Sequence, residues 1–444
     1  MMKGKRGSVL ASPATRQGVI HERFVYAKAT SLSIPPDNEV AHAMFERIER
    51  VPGDAILGLI EAFKKDTNPQ KVDLGVGVYR DDNGNTPVMR AVKEAETRLL
   101  KSETTKTYIG SHGAPAYGDA VLPLVLGADS PVLEADRASA TQSPGGTGAL
   151  RLAADFIAKQ LPGKGIWVSD PTWPNHHGIF TAAGIELHKY PYVDADNRLD
   201  FDGMLAAIKK IPDGDVVVLH ACCHNPTGFD LSAEQWQTVL DVVRERNLLP
   251  LIDFAYQGFG QGLDEDAYGV RLFAEQLDEV IITSSCSKNF GIYCERTGCL
   301  IAVAKDAEQK DNIRSQFAIV ARENYSNPPA HGSAIVSEIL HDAELSAMWR
   351  DELTEMRDRV NTLRRDFVEA LKPYGLDKKY ACVGEQRGMF SYTGLTPDQV
   401  ERLRDEFGIY MVRSGRANVA GFSQQNLPYL ARAIAVVNDV VIDD

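Results

Sequence analysis

The sequence holds no apolar run of the roughly 18 residues that a bilayer-spanning helix needs, so neither a transmembrane helix nor a membrane partner is expected. Cysteine is scarce. Six residues in 444 show no disulfide-framework spacing and no paired C-x-x-C metal pattern, although Cys222 and Cys223 are adjacent. Reduced thiols, a cytoplasmic location and no bound metal are the expectation. Positive charge is also lacking: the net charge of −13 argues against a nucleic-acid partner and for simple solubility. There is no internal repeat and no low-complexity segment.

The apolar fraction of 44% and charged fraction of 25% are those of a globular protein long enough for more than one unit. Residues 1–43 stand apart, with six Lys/Arg against three acids, so that the other 401 residues carry −16. This stretch lacks the apolar centre of a secretory signal. It is expected to be a disordered tail or an overextended gene start ahead of Met44, in preference to an organelle presequence.

From Met44 the pattern becomes regular. A helix from Ala55 to Phe63, begun by Asp54, precedes an extended Val72–Tyr79. Apolar runs at 166–168, 216–219, 249–252, 280–283 and 300–303 read as buried strands, with helical segments such as 233–246 between several of them. Continuous apolar strands joined by helices predict an α/β body with a largely parallel sheet covered on both faces. Leu345, Trp349, Leu353, Met356, Val360, Leu363, Phe367 and Leu371 step by three or four, predicting one long amphipathic helix that ends at Lys372-Pro373-Tyr374-Gly375. That helix is expected to bridge into a second, smaller domain.

Several residues carry chemistry only conditionally. Lys288, in Ser284-Ser285-Cys286-Ser287-Lys288-Asn289-Phe290-Gly291, sits just past a buried strand, where open α/β sheets place ligands. A lysine there is either a solvated loop residue or an amine made nucleophilic by desolvation. Gly145-Gly146-Thr147-Gly148 opens a helix and is either an ordinary helix start or a phosphate seat; it lacks the GK[ST] of a P-loop and the spacing of a dinucleotide fingerprint. Asp253, ending another strand, is a local turn acid or a buried carboxylate that demands a cation or donor. Asn225-Pro226-Thr227-Gly228 reads as a turn, and Arg416 as a surface residue or a carboxylate clamp.

These segments occur together and in order, and in that combination the chain resembles the fold type I pyridoxal-phosphate aminotransferases of the aspartate and aromatic amino acid branch. The resemblance rests on Leu74–Arg80, Gly145–Leu150, Asp170–His176, Cys223–Gly228, Asp253–Phe259, Ser287–Gly291, Asn324–Pro329 and Ser414–Gly421. It covers nearly everything from Met44 onward. It implies a large domain (86–355) built on a mostly parallel seven-stranded sheet, and a small α/β domain (44–85 with 356–444).

The resemblance further implies pyridoxal 5'-phosphate as cofactor. Lys288 matches the lysine that bonds its aldehyde and moves the substrate α-proton; Asp253 matches the acid on the pyridine nitrogen, oriented by His176. Asn225 and Tyr256 match the pair on the phenolic oxygen, and Trp173 the indole stacked on the ring. Gly146, Thr147, Ser285, Ser287 and Arg296 match the phosphate ligands, joined by Tyr108 from a neighbouring subunit. Arg416 matches the clamp on the substrate α-carboxylate, helped by Asn225, Trp173 and the Gly77 backbone. Arg322 matches the arginine that takes the distal carboxylate across a homodimer with shared active sites.

The implied reaction is ping-pong transamination of L-aspartate with 2-oxoglutarate, with aromatic amino acids as further donors; the alternatives are an aromatic-amino-acid:2-oxoglutarate enzyme or, least favoured, a non-catalytic cofactor sensor. Thr86, Thr147 and Asn327 look more like the aspartate kind. Cys286, Cys294 and Arg413 depart from the family's frequent residues, and Arg413 is expected to add positive charge near the mouth.

Overall fold

Apolar residues two apart in the central strands fall on the same side of one sheet, and the computed structural model shows two cores built on that alternation. It describes residues 45, 48–50 and 55–442, so the expectations for residues 1–43 and for Asp54 lie outside the described residues. Within residues 1–52 the described part is a turn in which the Ile48 amide donates to Phe45. Residues 53–444 form one compact unit.

Strand β1 (Val72–Asp73) is followed by seven strands of one sheet: β2 (Ala138–Pro144), β3 (Ile166–Asp170), β4 (Leu187–Pro191), β5 (Val216–His220), β6 (Leu249–Phe254), β7 (Val280–Ser285) and β8 (Thr297–Val303). Their order is β2-β8-β7-β6-β5-β3-β4. The pairs from β4 through β3, β5 and β6 to β7 are parallel, and β8 runs antiparallel to both neighbours. Val216, Val218, Leu251, Ile281 and Leu300 pack on one face with Phe156 and Phe317 of helices Gly145–Gln160 and Ala307–Asn324. Val217, Leu219, Ile252, Ile282 and Ile301 face the other side, with Val239, Phe273 and Val121. A sheet buried on both faces needs continuous apolar strands, which is why these runs were readable.

The small strands β9 (Phe390–Tyr392), β10 (Ile409–Tyr410) and β11 (Arg416–Asn418) form two ribbons, β1 with β10 and β9 with β11. Here the expectation of an extended Val72–Tyr79 is corrected. Only Val72–Asp73 is strand; beyond it the Asp73 carboxylate accepts from the Gly75 amide and the Asn418 side chain holds the carbonyls of Val76 and Val78. Side-chain bonds replace a ladder there, and they bring Gly77 to the sheet's mouth.

The long helix runs Ala343–Ala370 and stops in a 3-10 turn capped by Gly375 at φ 68°. Its buried stripe contains each apolar residue from Leu345 to Phe367 that the spacing picked out. No helix among the described residues is long and apolar enough to cross a membrane.

Candidate active site

Parallel strands end on the same side of their sheet, so β5, β6 and β7 deliver His220, Asp253 and Ser285 to one rim. The chain then turns through the lysine loop. The Gly291 amide donates to the Lys288 carbonyl, the Trp349 indole donates to the Asn289 carbonyl at 2.7 Å, and Phe290 stacks on Trp349 at 4.4 Å. These contacts fix the backbone on both sides of Lys288 while leaving its amine in the cavity.

That cavity encloses about 280 Å³. It is lined by Gly77, Gly146, Thr147, Trp173, Asn225, Asp253, Tyr256, Ser285, Ser287, Lys288, Arg296 and Arg416, twelve residues singled out from sequence. Tyr108 and Arg322 do not line it: Tyr108 is 94% exposed and Arg322 lies exposed near the end of helix Ala307–Asn324. His220, Cys222, Tyr293 and Phe390 also line the wall and were missed. His220 had a signal, as a polar residue ending an apolar strand; Phe390 had none, since it reaches the site from the far end of the chain.

One end of the cavity is built for an anion. Helix Gly145–Gln160 points its free N–H groups at it. Ser285, Ser287 and Arg296 stand beside that helix start, and the Arg296 guanidinium donates to Ser287 Oγ at 3.3 Å. The close approach depends on glycine: a Cβ on Gly298 would lie 2.4 Å from the backbone of Gly145. Gly298→Ala should therefore push the helix start off β8, costing roughly 1–3 kcal/mol of stability and weakening phosphate binding, which thermal unfolding with and without a phosphate ester would read.

The opposite end is polar and deep. Asp253 is 8% exposed, and its carboxylate bonds His176 Nε2 at 3.0 Å. His176 Nδ1 meets Thr172 Oγ1 at 2.8 Å, and the same hydroxyl meets His220 Nε2 at 3.0 Å. Burial alone pushes the Asp253 carboxyl up, but the hydrogen bond from His176 and electrostatic attraction to its surroundings, the Lys288 amine among them, outweigh it and hold it below the usual range. Burial, aided by His176, depresses His220 to about 3, so that ring is neutral. The Lys288 amine is lowered to about 8, chiefly by burial, with Asp253 opposing and Arg296 assisting. It lies 4.5 Å from the centre of the Tyr256 ring. Burial raises the Tyr256 hydroxyl, keeping it a proton donor.

Arg416, on β11, is 4% exposed. It donates to the Gly75 carbonyl at 2.8 Å and lies 4.2 Å over the Phe390 ring, but makes no ion pair among the described residues and leaves its Nε unpartnered. Asn225 Oδ1 is likewise buried without a partner. Such groups are costly unless a ligand satisfies them. An aromatic phosphate ester carrying a ring nitrogen and an oxygen substituent fits the donor set: N–H groups at one end, a carboxylate at the other, Asn225 and Tyr256 at the side, and an amine alongside. Arg413, by contrast, is an exposed residue paired with Glu401 at 2.9 Å. Cys286 is buried against the Tyr117 hydroxyl and Cys294 is exposed.

Known proteins resemble this chain over most of its length. The profile of the family "Aminotransferase class I and II" matches residues 69–434. An aromatic-amino-acid aminotransferase of Pseudomonas aeruginosa is 60% identical over 88% of this chain and 98% of its own. An aspartate aminotransferase of Escherichia coli is 50% identical over 89% of this chain and 100% of its own. Among solved structures, an aromatic-amino-acid aminotransferase from Burkholderia pseudomallei, covalently bound to pyridoxal phosphate, superposes with a TM-score of 0.87 at 48% identity, covering 89% of this chain and all of that one. The family match spans most of the chain and these relatives are covered over nearly their whole length, so the chain belongs to the class I and II aminotransferases.

Proposed function

We propose that this aminotransferase uses pyridoxal 5'-phosphate to move the amino group of L-aspartate to 2-oxoglutarate, yielding oxaloacetate and L-glutamate, with aromatic amino acids as further donors. The observation that carries this reading is Arg416, a buried guanidinium in the cavity wall with an unpartnered nitrogen and no acid of its own among the described residues. A carboxylate-bearing substrate supplies what it lacks.

Gly146, Thr147, Ser285, Ser287 and Arg296 would hold the phosphate, Asp253 the ring nitrogen, Asn225 and Tyr256 the phenolic oxygen, and Trp173 one ring face. When bound, the cofactor supplies an aldehyde for the amino group and an electron-poor ring that stores electrons released at the substrate α-carbon. The protein does the positioning and moves the proton. Arg416 and Asn225 fix the α-carboxylate, with the Gly77 backbone beside it. Lys288 Nζ takes the proton from the α-carbon, and an amine lowered to about 8 is about one-tenth neutral at pH 7, far more than an ordinary lysine. Asp253 remains ionised and receives an N–H, and Tyr256 Oη donates.

Tyr108 and Arg322 belong, on this reading, to the site of a second subunit in a homodimer, consistent with their exposure and their absence from this chain's cavity lining. The division into a large domain (86–355) and a small one (44–85 with 356–444) is supported by the separate two-stranded ribbons, which draw on residues 72–73 and 390–418. A cytoplasmic location accords with the free thiols.

The second reading, preference for aromatic donors, is favoured by the 60% identical relative named for that activity. Initial rates with aspartate, tyrosine and phenylalanine against 2-oxoglutarate separate the two; turnover of the aromatic pair with negligible aspartate turnover overturns the first. Arg322→Leu should lower kcat/KM for aspartate by roughly 10- to 100-fold, the loss of one charge-assisted pair, and spare phenylalanine. Unchanged aspartate kinetics would remove Arg322 from the distal-carboxylate role.

A further inference from the structure

Cys222 and Cys223 are consecutive, both buried, and have no part in the chemistry above. Successive side chains in extended backbone point to opposite sides. Here they do not diverge, because Cys223 takes φ 51°, a left-handed conformation rare outside glycine, asparagine and aspartate. Its amide is held there by the Asp230 carboxylate at 2.9 Å. The two sulfurs and an oxygen of Asp266 lie within 4.8 Å of one another. Cys222 lines the cavity, which gives the pair its opening.

The chemistry of the pair is restricted. Asp266 is committed elsewhere: Oδ2 accepts from the Gly258 and Gly260 amides at 2.8 and 2.9 Å, and Oδ1 from Gln261 at 2.8 Å. Two sulfurs therefore remain, too few for the four protein ligands of a closed zinc site. Burial also raises both thiols, Cys223 to about 12, which opposes any product that needs two thiolates. A trivalent centre that brings its own third substituent and gives a neutral product meets both limits.

We infer that Cys222 and Cys223 form a dithiol site, opening on the cofactor cavity, that captures monosubstituted trivalent arsenicals. The step balances without redox change: R–As(OH)₂ reacts with two S–H groups, two As–S bonds form, two As–O bonds break, and the two thiol protons leave with the hydroxyls as two waters. The second As–S bond closes intramolecularly, so one thiol alone should bind on the order of a hundredfold more weakly.

The test treats the holoenzyme with one equivalent of phenylarsine oxide, removes excess reagent, then unfolds and alkylates with iodoacetamide before peptide mass mapping. Cys222 and Cys223 should be protected together, Cys286, Cys294, Cys299 and Cys382 should alkylate, and 2,3-dimercaptopropanol but not a monothiol should restore alkylation. Cys222→Ala and Cys223→Ala should each lose protection at the remaining cysteine. Alkylation of both cysteines as in untreated protein, or protection that survives either substitution, overturns the inference. No readout depends on turnover, so the result is independent of the aminotransferase reading.

Discussion

Lys288→Ala is expected to abolish transamination and the covalent retention of cofactor at once. A variant that kept wild-type turnover, or that still trapped cofactor on borohydride reduction, would refute the assignment. The reason lies in the surroundings of the amine. It shares the cavity wall with Asp253 and with the Gly146–Thr147 helix start, groups suited to opposite ends of a ring. Among the described residues no second lysine lines that wall, so no neighbour takes over. On the proposed assignment Lys288 is both nucleophile and proton carrier, so its loss removes two functions, and such losses run to roughly 10⁴-fold or beyond. The same amine predicts a pH dependence. Only the neutral form attacks an aldehyde, and the folded value is lowered to about 8. Aldehyde capture by cofactor-free enzyme should therefore rise with pH and level off above about 8, two units or so below an ordinary lysine. Stopped-flow absorbance across pH 6–10 reads it; a midpoint near 10.5 would mean that burial does not act on this amine.

What the sequence disclosed divides along a physical line. Strands β5, β6, β7 and β8 were legible because burial on both faces demands continuous apolar runs. Strand β2, Ala-Ser-Ala-Thr-Gln-Ser-Pro, was not: it has no apolar run, and it is a strand because all seven residues pair with β8. β4 escaped for the same reason, with Leu187-His188-Lys189-Tyr190-Pro191 lying at the sheet's edge. Val72–Tyr79 misled in the other direction, since its alternating valines looked extended while side chains, and no ladder, hold most of it.

The site follows the same division. Local pattern placed Lys288 after a strand and Gly145–Gly148 before a helix, and left each ambiguous. Their convergence is a long-range fact: Arg416 and Phe390 reach Gly77 and Tyr256 from the far end of the chain, and the ring of Phe390 is 4.2 Å from the Arg416 guanidinium and 6.1 Å from Tyr256. Only the family resemblance assembled those residues in advance. It omitted Phe390, which supports others and has no motif of its own. It also raised a charge at Arg413 that the Glu401 pair accounts for.

Asp253→Asn tests the deep end of the site, and a fall in kcat on the order of 10²–10³-fold or more is expected, the scale of removing one preorganised electrostatic group. The substitution is nearly isosteric, and its amide can still bond His176, so geometry and folding are preserved while one buried negative charge is lost. That charge is maintained against the cost of burial by a chain of specific contacts: His176 at 3.0 Å, then Thr172, then a neutral His220. An investment of that kind is idle unless something cationic sits before the carboxylate. A protonated ring nitrogen is such a group, and it is the protonated ring that withdraws electrons from the α-carbon. The effect should thus appear in kcat, with KM for aspartate little changed, because the proposed site gives the substrate carboxylate to Arg416 and not to Asp253. Asp253→Glu keeps the charge and should recover part of the rate, whereas Asp253→Ala should resemble Asp253→Asn. If Asn and Glu were equally active, the charge would be irrelevant and Asp253 only a structural acceptor for His176. If KM rose while kcat held, the carboxylate would be acting on substrate binding, and the roles of the two ends of the cavity would have to be exchanged.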